Sequence, residues 1–321
     1  MFSQYRDSAS RRNGHLYGGA ELTSVTATQP ALPGLDSPLI GSVKNERSVM
    51  VYNFFSLSKE PKTELEPYDD GQVRIEVKGT KAGVATIYDK EILIYAASLL
   101  VDKMNRGEAL NQTITFTAHD FFRVARVTPG GSSYDRISGA LERLQGTQVR
   151  TNIETGGEGT DEFWSWAQSA KAQYRKDART GERVLRSVSI TLCDWLYRAI
   201  LHDNRMLTYD PRYFDLGALE KRLYEMARAH CGHQPGFKIG LDKLRRRVGS
   251  EMELKDFKAR MVKIASRKNP LPEYGFKLVD RAVEQGRSKR ANLKSMQVIF
   301  WRLDRWREYD ADKFCEADET E

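Results

Sequence analysis

Two helical segments joined by only a few residues constrain the fold of this chain more than any other feature. In TAHDFFRVARV and in SSYDRISGALERLQ, apolar residues recur at helical spacing and give each segment one apolar face. Only TPGG stands between the segments, so the two helices have to meet at a tight turn. Thr117 with Asp120, and Ser132 with Asp135, have the spacing of capping boxes. The pattern predicts a helix-turn-helix.

Three extended segments follow the second helix. They are TQVRTNIET, which leads into the glycine-rich turn GGEGT, then FWSWAQSAKAQYR, and then VLRSVSITL, which places Val188, Ile190 and Leu192 on one face. A β-hairpin directly behind a helix-turn-helix is a wing. The order therefore predicts a winged helix with an unusually long wing.

The residues before the helix-turn-helix predict the start of the same domain. GQVRIEVKG alternates as a strand does, and GVATIY predicts a second short strand. KEILIYAASLLVDKMNRG has an apolar stripe at helical spacing and predicts a core helix. We expect Asp89 to cap this helix and Gly107 to end it.

The second half of the chain repeats this order of elements. A striped helix, GALEKRLYEMARAHCG, precedes the strand FKIG, the helices LDKLRRRVG and ELKDFKARMVKIASRK, and the strands GFKLVDRAVE and KSMQVIFWRL. When the two halves are aligned, Phe121 falls on Leu244. The chain is therefore predicted to be an α+β protein with two tandem winged-helix domains.

The predicted domains have flanking segments of a different composition. We expect a disordered arm over residues 1–48, which are rich in Ser, Gly, Thr and Pro without a sustained period. The first winged-helix domain is expected over residues 49–205 and the second over 206–307. Residues 308–321 contain seven Asp or Glu and predict an acidic, flexible tail.

Positive charge is concentrated in the C-terminal half. From Pro235 to Asp310 there are 20 Lys or Arg against 10 Asp or Glu, an excess larger than the net charge of +7 of the whole chain. Such a distribution favours a polyanionic partner, because neutralised phosphates release counterions when nucleic acid binds. The alternative is an ordinary solvated charged surface.

The second helix of each predicted helix-turn-helix carries the candidate DNA contacts. In the first domain, hydroxyls at the start of the helix can meet a phosphate, and Arg136 or Arg143 can fork onto a guanine edge. The alternative for Arg143 is an ion pair with a nearby carboxylate. The candidates in the first domain are Ser132, Ser133, Tyr134, Arg136, Ser138 and Arg143.

Candidate phosphate contacts in the second domain come from both helices and from the wing, the elements that approach the DNA backbone when a winged helix docks. They are Arg245, Arg246, Arg247, Lys255, Arg260, Lys263, Arg267, Lys289 and Arg290.

Patterns typical of enzymes are weak. A phosphate loop requires GxxxxGK[ST] after a strand, but this double glycine follows a helix and precedes Ser132 and Ser133, which favours a turn and disfavours ATPase activity. His230 and His233 in HCGH suggest the metal-binding histidines of nicking initiators. However, their spacing differs, and His230 lies on the apolar face of a helix, which favours a core or capping role. We expect no catalytic residue, metal or cofactor.

Cellular location follows from what the sequence lacks. No run of about 18 apolar residues is present, so no membrane span is expected. The N-terminus has no basic segment followed by an apolar stretch, so we expect a cytoplasmic protein. Cys193, Cys231 and Cys315 are widely spaced and predict neither a disulfide framework nor a zinc site.

Several blocks together resemble the replication initiator protein A family of bacterial plasmids. The blocks are FFSLSK, ATIYDKEILIYAASLL, TFTAHDFFRVARVTPGGSSYDRISGALERLQGTQVRTNIETGG, SITLCDWLYRAIL and YFDLGALEKRLYEMARAHCG, which together span about residues 50–275. The resemblance implies an initiator that binds repeats in double-stranded origin DNA and represses its own promoter as a dimer. It also implies plasmid copy control, opening of the duplex, and contacts with the host replicative helicase and initiator proteins.

Matched by motif, GTQVRTNIETGG would be the first wing, with Arg150, Thr151 and Asn152 on phosphates. Two other functions remain open at this point. A transcriptional repressor can use the same fold and the same DNA contacts. A nicking enzyme would form a covalent 5′-phosphotyrosine product with a metal present.

Overall fold

The helix α2, Lys90–Asn105, lies at the centre of the first half of the chain. Its residues from Lys90 to Asp102 are all buried, because apolar side chains occur on every side of the helix. This computed structural model describes residues 34–157, 161–176, 178, 179, 181, 183–203, 205–232, 234, 236–280 and 292–308.

The predicted pair of helices follows α2. After strand β4, Thr113–Phe116, come α3, Ala118–Val124, and α4, Gly131–Gly146. The predicted apolar stripe of α4 is confirmed, because Ile137, Ala140, Leu141 and Leu144 are all buried. Thr117 caps α3 as predicted, since its side chain accepts a hydrogen bond from the Asp120 amide.

The longest hairpin consists of β7, Ala167–Lys176, and β8, Arg183–Leu192. Strand β8 also pairs with β4, so this antiparallel sheet has the order β4-β8-β7. The segment predicted as the beginning of the wing, TQVRTNIET, belongs to a different sheet. Strand β5, Gln148–Thr151, lies between β3, Arg74–Lys78, and β6, Glu162–Ser165, in a second sheet that ends with β2, Tyr68–Asp69.

The second half repeats the predicted order of elements, except that its described residues contain no counterparts of β5 and β6. Helix α6, Ala218–His230, precedes β10, Gly236–Gly240, and the helices α7, Leu241–Arg247, and α8, Leu254–Ala265. The strands β11, Tyr274–Asp280, and β12, Met296–Arg302, complete a sheet of order β10-β12-β11. In both halves the last strand of the unit is therefore the middle strand of its sheet.

The remaining elements connect the halves. Strand β1, Lys44–Glu46, pairs with β9, Met206–Thr208, and α1, Arg47–Val51, follows β1. Helix α5, Asp194–His202, leads from β8 to β9. Three 3₁₀ helices lie at Pro211–Asp215, Leu293–Ser295 and Leu303–Glu308.

The predicted N-terminal arm is too long. Leu39 and Val43 are buried in the core, and the Leu39 amide donates a hydrogen bond of 3.1 Å to the Asp120 carboxylate. Residues 34–48 are therefore part of the folded protein, held by contacts to distant segments. Residues 1–33 and 309–321, and with them nearly all of the predicted tail, lie outside the described residues.

One large hydrophobic core runs through both halves of the described chain, beside a small separate cluster of Val279 and Ile299. The large core includes residues from Leu39 to Phe300 and crosses the boundary predicted at residues 205 and 206, which falls between α5 and β9. The two predicted domains thus share a core and belong to one compact unit. In the described ranges, no helix has the length and apolar character needed to cross a membrane.

Candidate nucleic-acid interface

The double glycine forms a joint between two helices. Helix α3 ends at Val124, and α4 begins at Gly131 after an N-cap residue, Gly130, with extended backbone. The Ser133 hydroxyl donates to the Thr128 carbonyl over 2.8 Å, which ties the first turn of α4 to the loop. The prediction that the double glycine lies in the turn between two helices is confirmed. The predicted capping box of Ser132 and Asp135 is wrong, since no side chain caps α4.

The outward face of α4 carries hydroxyls and charges of both signs. Ser132, Arg136, Ser138 and Glu142 are exposed. Among the described residues, Arg136 has no ion-pair partner. The Ser138 hydroxyl lies 2.7 Å from the Tyr174 hydroxyl of β7, so the helix and the hairpin are in direct contact.

Two further candidates on α4 face inward. Ser133 is buried. Tyr134 is half-buried and its ring centre lies 5.3 Å from that of Phe122. Tyr134 thus packs α4 on α3, while Ser133 ties α4 to the preceding loop. Their roles in DNA binding stay predictions.

Arg143 is held in a two-point ion pair. Its Nε and Nη2 atoms each donate to the Asp89 carboxylate over 2.7 Å, and the Asp89 side chain is only 5% exposed. The hydrogen bonds to Asp89 raise the pKa of Arg143. The sequence left two roles open for Arg143, a contact with guanine or an ion pair with a carboxylate. The structure has the ion pair. The prediction that Asp89 caps α2 is wrong, because its side chain bonds Thr86 and Arg143 instead.

Replacing Arg143 by alanine should lower the free energy of unfolding by about 1–2 kcal/mol, because it leaves a buried carboxylate with fewer donors. Chemical denaturation measures this change. Arg136→Ala on the same helix is the matched control and should stay within about 0.5 kcal/mol of the native chain. Equal effects of the two substitutions would show that the ion pair with Asp89 does not contribute.

Arg150, Thr151 and Asn152 lie in the second sheet and not in the β7–β8 hairpin. Arg150 contacts Asp161 at 3.0 Å and Glu76 at 3.4 Å, and Thr151 is buried. The Asn152 side chain accepts from the Arg74 amide and donates to the Gln72 carbonyl, each over 2.7 Å. Strand β5 forms an antiparallel hairpin with β6, as predicted, and its other edge pairs with β3. The assignment of this hairpin to a wing stays a prediction. The phosphate contacts proposed for Arg150, Thr151 and Asn152 are untested.

The β7–β8 hairpin has a row of cations that was not predicted from the sequence. These exposed side chains have no ion-pair partner within the described part of the chain; they are Lys171, Arg175, Lys176 and Arg186. The available signal was the density of charge in KAQYRK beside a turn. The contact between Ser138 and Tyr174 joins this hairpin to α4.

Helix α8 has two kinds of cation. Lys255 and Lys263 are exposed beside Val262, and no carboxylate pairs with either lysine in the ranges that the structure covers. Arg267 and Arg260 instead approach the buried Glu220 carboxylate, at 3.0 Å and 3.8 Å. The two lysines therefore contribute uncompensated positive charge to the surface.

The arginines at the end of α7 are largely compensated or buried. Arg245 and Arg246 lie 3.0 Å and 3.5 Å from the Asp242 carboxylate. Arg247 was expected on the basic surface, but it is buried, and its carbonyl accepts from Arg222. Its expected exposure is wrong because α7 turns this position into the core. Lys289 and Arg290 lie outside the described residues.

His230 and the cysteines are core residues. The His230 ring lies 4.8 Å from that of Phe237, and its Nε2 atom is buried without a hydrogen-bond partner. Burial, with the charges of Arg247, Arg47 and Lys243, lowers the pKa of His230 to about 3. The prediction that His230 lies on the apolar face of its helix is confirmed by its contact with Phe237, although the whole residue is half-buried and its Nε2 atom is unsatisfied. His233 lies outside the described residues.

Cys193 and Cys231 are buried free thiols, and burial raises the pKa of each to about 12. Within the described ranges, no group of three or more His, Cys, Asp or Glu side chains could hold a metal ion. Cys315 lies outside those ranges.

Comparison with known proteins gives a consistent set of similarities. The family model of replication initiator protein A matches residues 44–276. A protein of Wigglesworthia glossinidia brevipalpis named putative replication protein is 35% identical over 251 residues, which cover 75% of this chain and 87% of that protein.

Two crystal structures of domains 2 and 3 of RctB are similar in fold. Their TM-scores are 0.55 and 0.51, at 12% and 10% sequence identity. The similar region covers 79% and 82% of this chain, and 97% and 100% of the RctB chains.

Proposed function

The chain belongs to the replication initiator protein A family, and we propose that it initiates plasmid replication by binding repeated sites in double-stranded origin DNA. One observation carries the proposal. A helix, a strand, two helices and a closing antiparallel pair of strands follow in this order in both halves, with β5 and β6 inserted before the closing pair in the first half. Exposed cations without a carboxylate partner in the described residues lie on α4, on the β7–β8 hairpin and on α8. This is the arrangement that a tandem winged-helix protein needs to contact two neighbouring stretches of duplex.

Helices α4 and α8 are the DNA-reading helices of this proposal, and the β7–β8 and β11–β12 strand pairs are the wings. Arg136 is exposed and has no carboxylate within ion-pair distance in the described residues, although its charge acts on Glu91, so its guanidinium can make a two-point contact with guanine. Arg143 is less suited to that contact because Asp89 already occupies its guanidinium. Val262 is 48% exposed between lysines and offers an apolar contact for a thymine methyl group.

The second half supplies most of the sequence-independent affinity in this proposal. Lys255 and Lys263 are its strongest candidates for phosphate contacts, because nothing in the described chain neutralises them. Arg245, Arg246, Arg260 and Arg267 would first have to exchange an aspartate or glutamate partner for a phosphate.

We further propose that the chain acts by binding and catalyses no reaction itself. Repression of its own gene as a dimer, copy control, and recruitment of the host helicase and initiator proteins belong to the same proposal. A cytoplasmic location is part of it. The family membership supports these roles at the level of replication initiation.

Footprinting of the purified protein on the DNA beside its own gene tests the proposal. Protection of direct repeats spaced by about whole helical turns is the expected result. Protection of a single inverted repeat over the promoter would instead favour a repressor without initiator activity. If no region of the labelled DNA is protected when random competitor DNA is present, the proposal of sequence-specific binding is overturned.

Affinity for DNA falls as salt rises, so the slope of log affinity against log salt is negative. The double substitution Lys255→Ala and Lys263→Ala should make this slope shallower by about 2, because each lysine neutralises about one phosphate. Fluorescence anisotropy with labelled duplex at several salt concentrations measures this slope. Arg267→Ala is the matched control, since Glu220 already neutralises that arginine. An unchanged slope in the double variant, or an equal fall in the control, would contradict the assignment.

A further inference from the structure

A cavity of about 570 Å³ lies beside α4. One face of the helix forms a wall, because five of its residues recur at helical spacing: Ser133, Arg136, Ile137, Ala140 and Arg143. The cavity falls within the range of about 300–1,000 Å³ typical of sites for small molecules. Its size alone therefore permits a ligand larger than a simple ion.

The opposite wall is the segment that was predicted to be a short strand. Instead of a strand, the segment makes isolated bridges, such as that between Ser56 and Thr86. Alternate residues of the segment line the cavity; they are Ala82, Val84, Thr86 and Tyr88. Ile92 of α2 with Phe121 and Phe122 of α3 completes an apolar floor.

The charges around the cavity leave an excess of positive charge. Lys59 and Arg136 are exposed, and neither has an ion-pair partner in the described part of the chain. The Lys59 ammonium lies 5.8 Å from the centre of the Tyr88 ring. The two carboxylates that line the cavity are compensated, Asp89 by Arg143 and Glu91 by Lys221 at 3.0 Å. An anionic group is thus favoured at the rim, and an apolar group below it.

We propose that this cavity binds a small amphipathic anion with one acidic group and an aromatic or branched aliphatic body. The acidic group lies between Lys59 and Arg136. The body packs on Ile92, Phe122 and Ile137. Sites of this kind combine an apolar lining with a few polar groups that fix the orientation of the ligand.

A consequence for DNA binding rests on the proposed function. Arg136 lines the cavity and is also the free arginine of the proposed reading helix. An anion bound to Arg136 withdraws its charge from DNA, so the ligand lowers DNA affinity, and DNA lowers ligand affinity by the same factor. The cavity thereby gives the initiator a means of responding to a small molecule.

A fluorescence titration of the full chain with 8-anilinonaphthalene-1-sulfonate tests the site, because this probe joins an aromatic body to one sulfonate. Saturable binding to one site is expected. Arg136→Ala removes a cation and Ala140→Leu fills part of the cavity, and each should weaken binding by at least about fivefold. The control is Lys81→Ala, an exposed lysine beside the cavity that does not line it.

Absence of saturable binding, or equal affinity in all the variants, would overturn the proposal. Displacement of the probe by inorganic phosphate as readily as by 1-naphthoate would overturn the amphipathic character of the ligand. Arg136 is exposed, so its substitution leaves a readable result even if Ala140→Leu does not fold.

A second measurement separates this inference from the proposed function. 1-Naphthoate should weaken duplex binding by the native chain and have a smaller effect on Ala140→Leu. If the chain binds the probe and no duplex DNA, the proposed function fails and the site stands. If it binds DNA with no response to 1-naphthoate, the coupling fails.

Discussion

Glu225→Gln should lower the free energy of unfolding by about 3–5 kcal/mol, because it removes the one carboxylate that two buried cations share. The Glu225 side chain is fully buried and lies 2.6 Å from the Lys90 ammonium, and its other oxygen accepts from Arg222. The hydroxyls of Tyr209 and Tyr213 also donate to it, over 2.8 Å and 2.9 Å. The glutamine amide has nearly the same shape as the Glu225 carboxylate but carries no negative charge. Urea denaturation measures the difference.

Asp304→Asn is the matched control, since it makes the same chemical change in an exposed ion pair. Asp304 lies 2.6 Å from Arg302, but its side chain is 60% exposed. Water replaces such a partner, so the expected cost is below about 1 kcal/mol. A Glu225→Gln variant as stable as the Asp304→Asn variant would show that the buried cations find other compensation.

The buried ion network joins the two halves of the chain. Lys90 of α2 also donates to the Val49 carbonyl over 2.9 Å, and Arg222 of α6 donates to the Met50 carbonyl over 2.8 Å. Both carbonyls belong to α1, which thus lies between the central helices of the two halves. The network therefore connects α2 and α6 through the same short segment.

The sequence could not predict this network. Lys221, Arg222 and Glu225 occur in LEKRLYEM, where their spacing is typical of the solvent face of an amphipathic helix. All three are buried because α1, α2 and the aromatic residues near Tyr213 cover the polar side of α6. Local periodicity contains no information about which distant elements cover a helix face.

The elements that depend on local pattern were predictable. Helices α2, α4 and α6 have apolar residues at helical spacing, and each occurs where the pattern predicts it. The repeated order of elements follows from the same signal. Phe121 and Leu244, which were aligned on sequence alone, are both the fourth residue of their helices and both buried.

The pairing of strands and the pairing of charged side chains could be identified only from the structure. Strand β5 forms the hairpin with β6 that the sequence predicted, but its second partner was not predictable: Val149 pairs with Val77 of β3, where the apolar faces of the two strands match. Arg143 and Arg267 are indistinguishable from free cations until Asp89 and Glu220 are located. The candidate surface therefore moves toward the β7–β8 hairpin and the lysines of α8. The residues that flank a lysine or arginine in the sequence do not reveal whether a carboxylate pairs with it in the fold.

His230 should make the protein sensitive to acid. Its pKa of about 3 in the folded state lies below the ordinary histidine pKa of 6.5, so between these values the unfolded chain binds a proton that the folded chain does not. Stability from this residue is present above about pH 6.5 and is lost as the pH falls toward 3. Between about pH 7 and pH 4.5 the native chain should lose about 2.5 kcal/mol through His230 alone.

His230→Leu removes this proton-binding site and keeps an apolar side chain against Phe237. Urea denaturation of both chains at each pH should show that the variant loses about 2.5 kcal/mol less than the native chain over this interval. Cys231→Ala alters the next buried side chain without affecting a group that titrates in the interval, because burial raises the pKa of that thiol to about 12. It should therefore keep the native pH dependence. The same loss in all three chains would mean that carboxylates elsewhere control acid unfolding and that water reaches the His230 ring in the folded state.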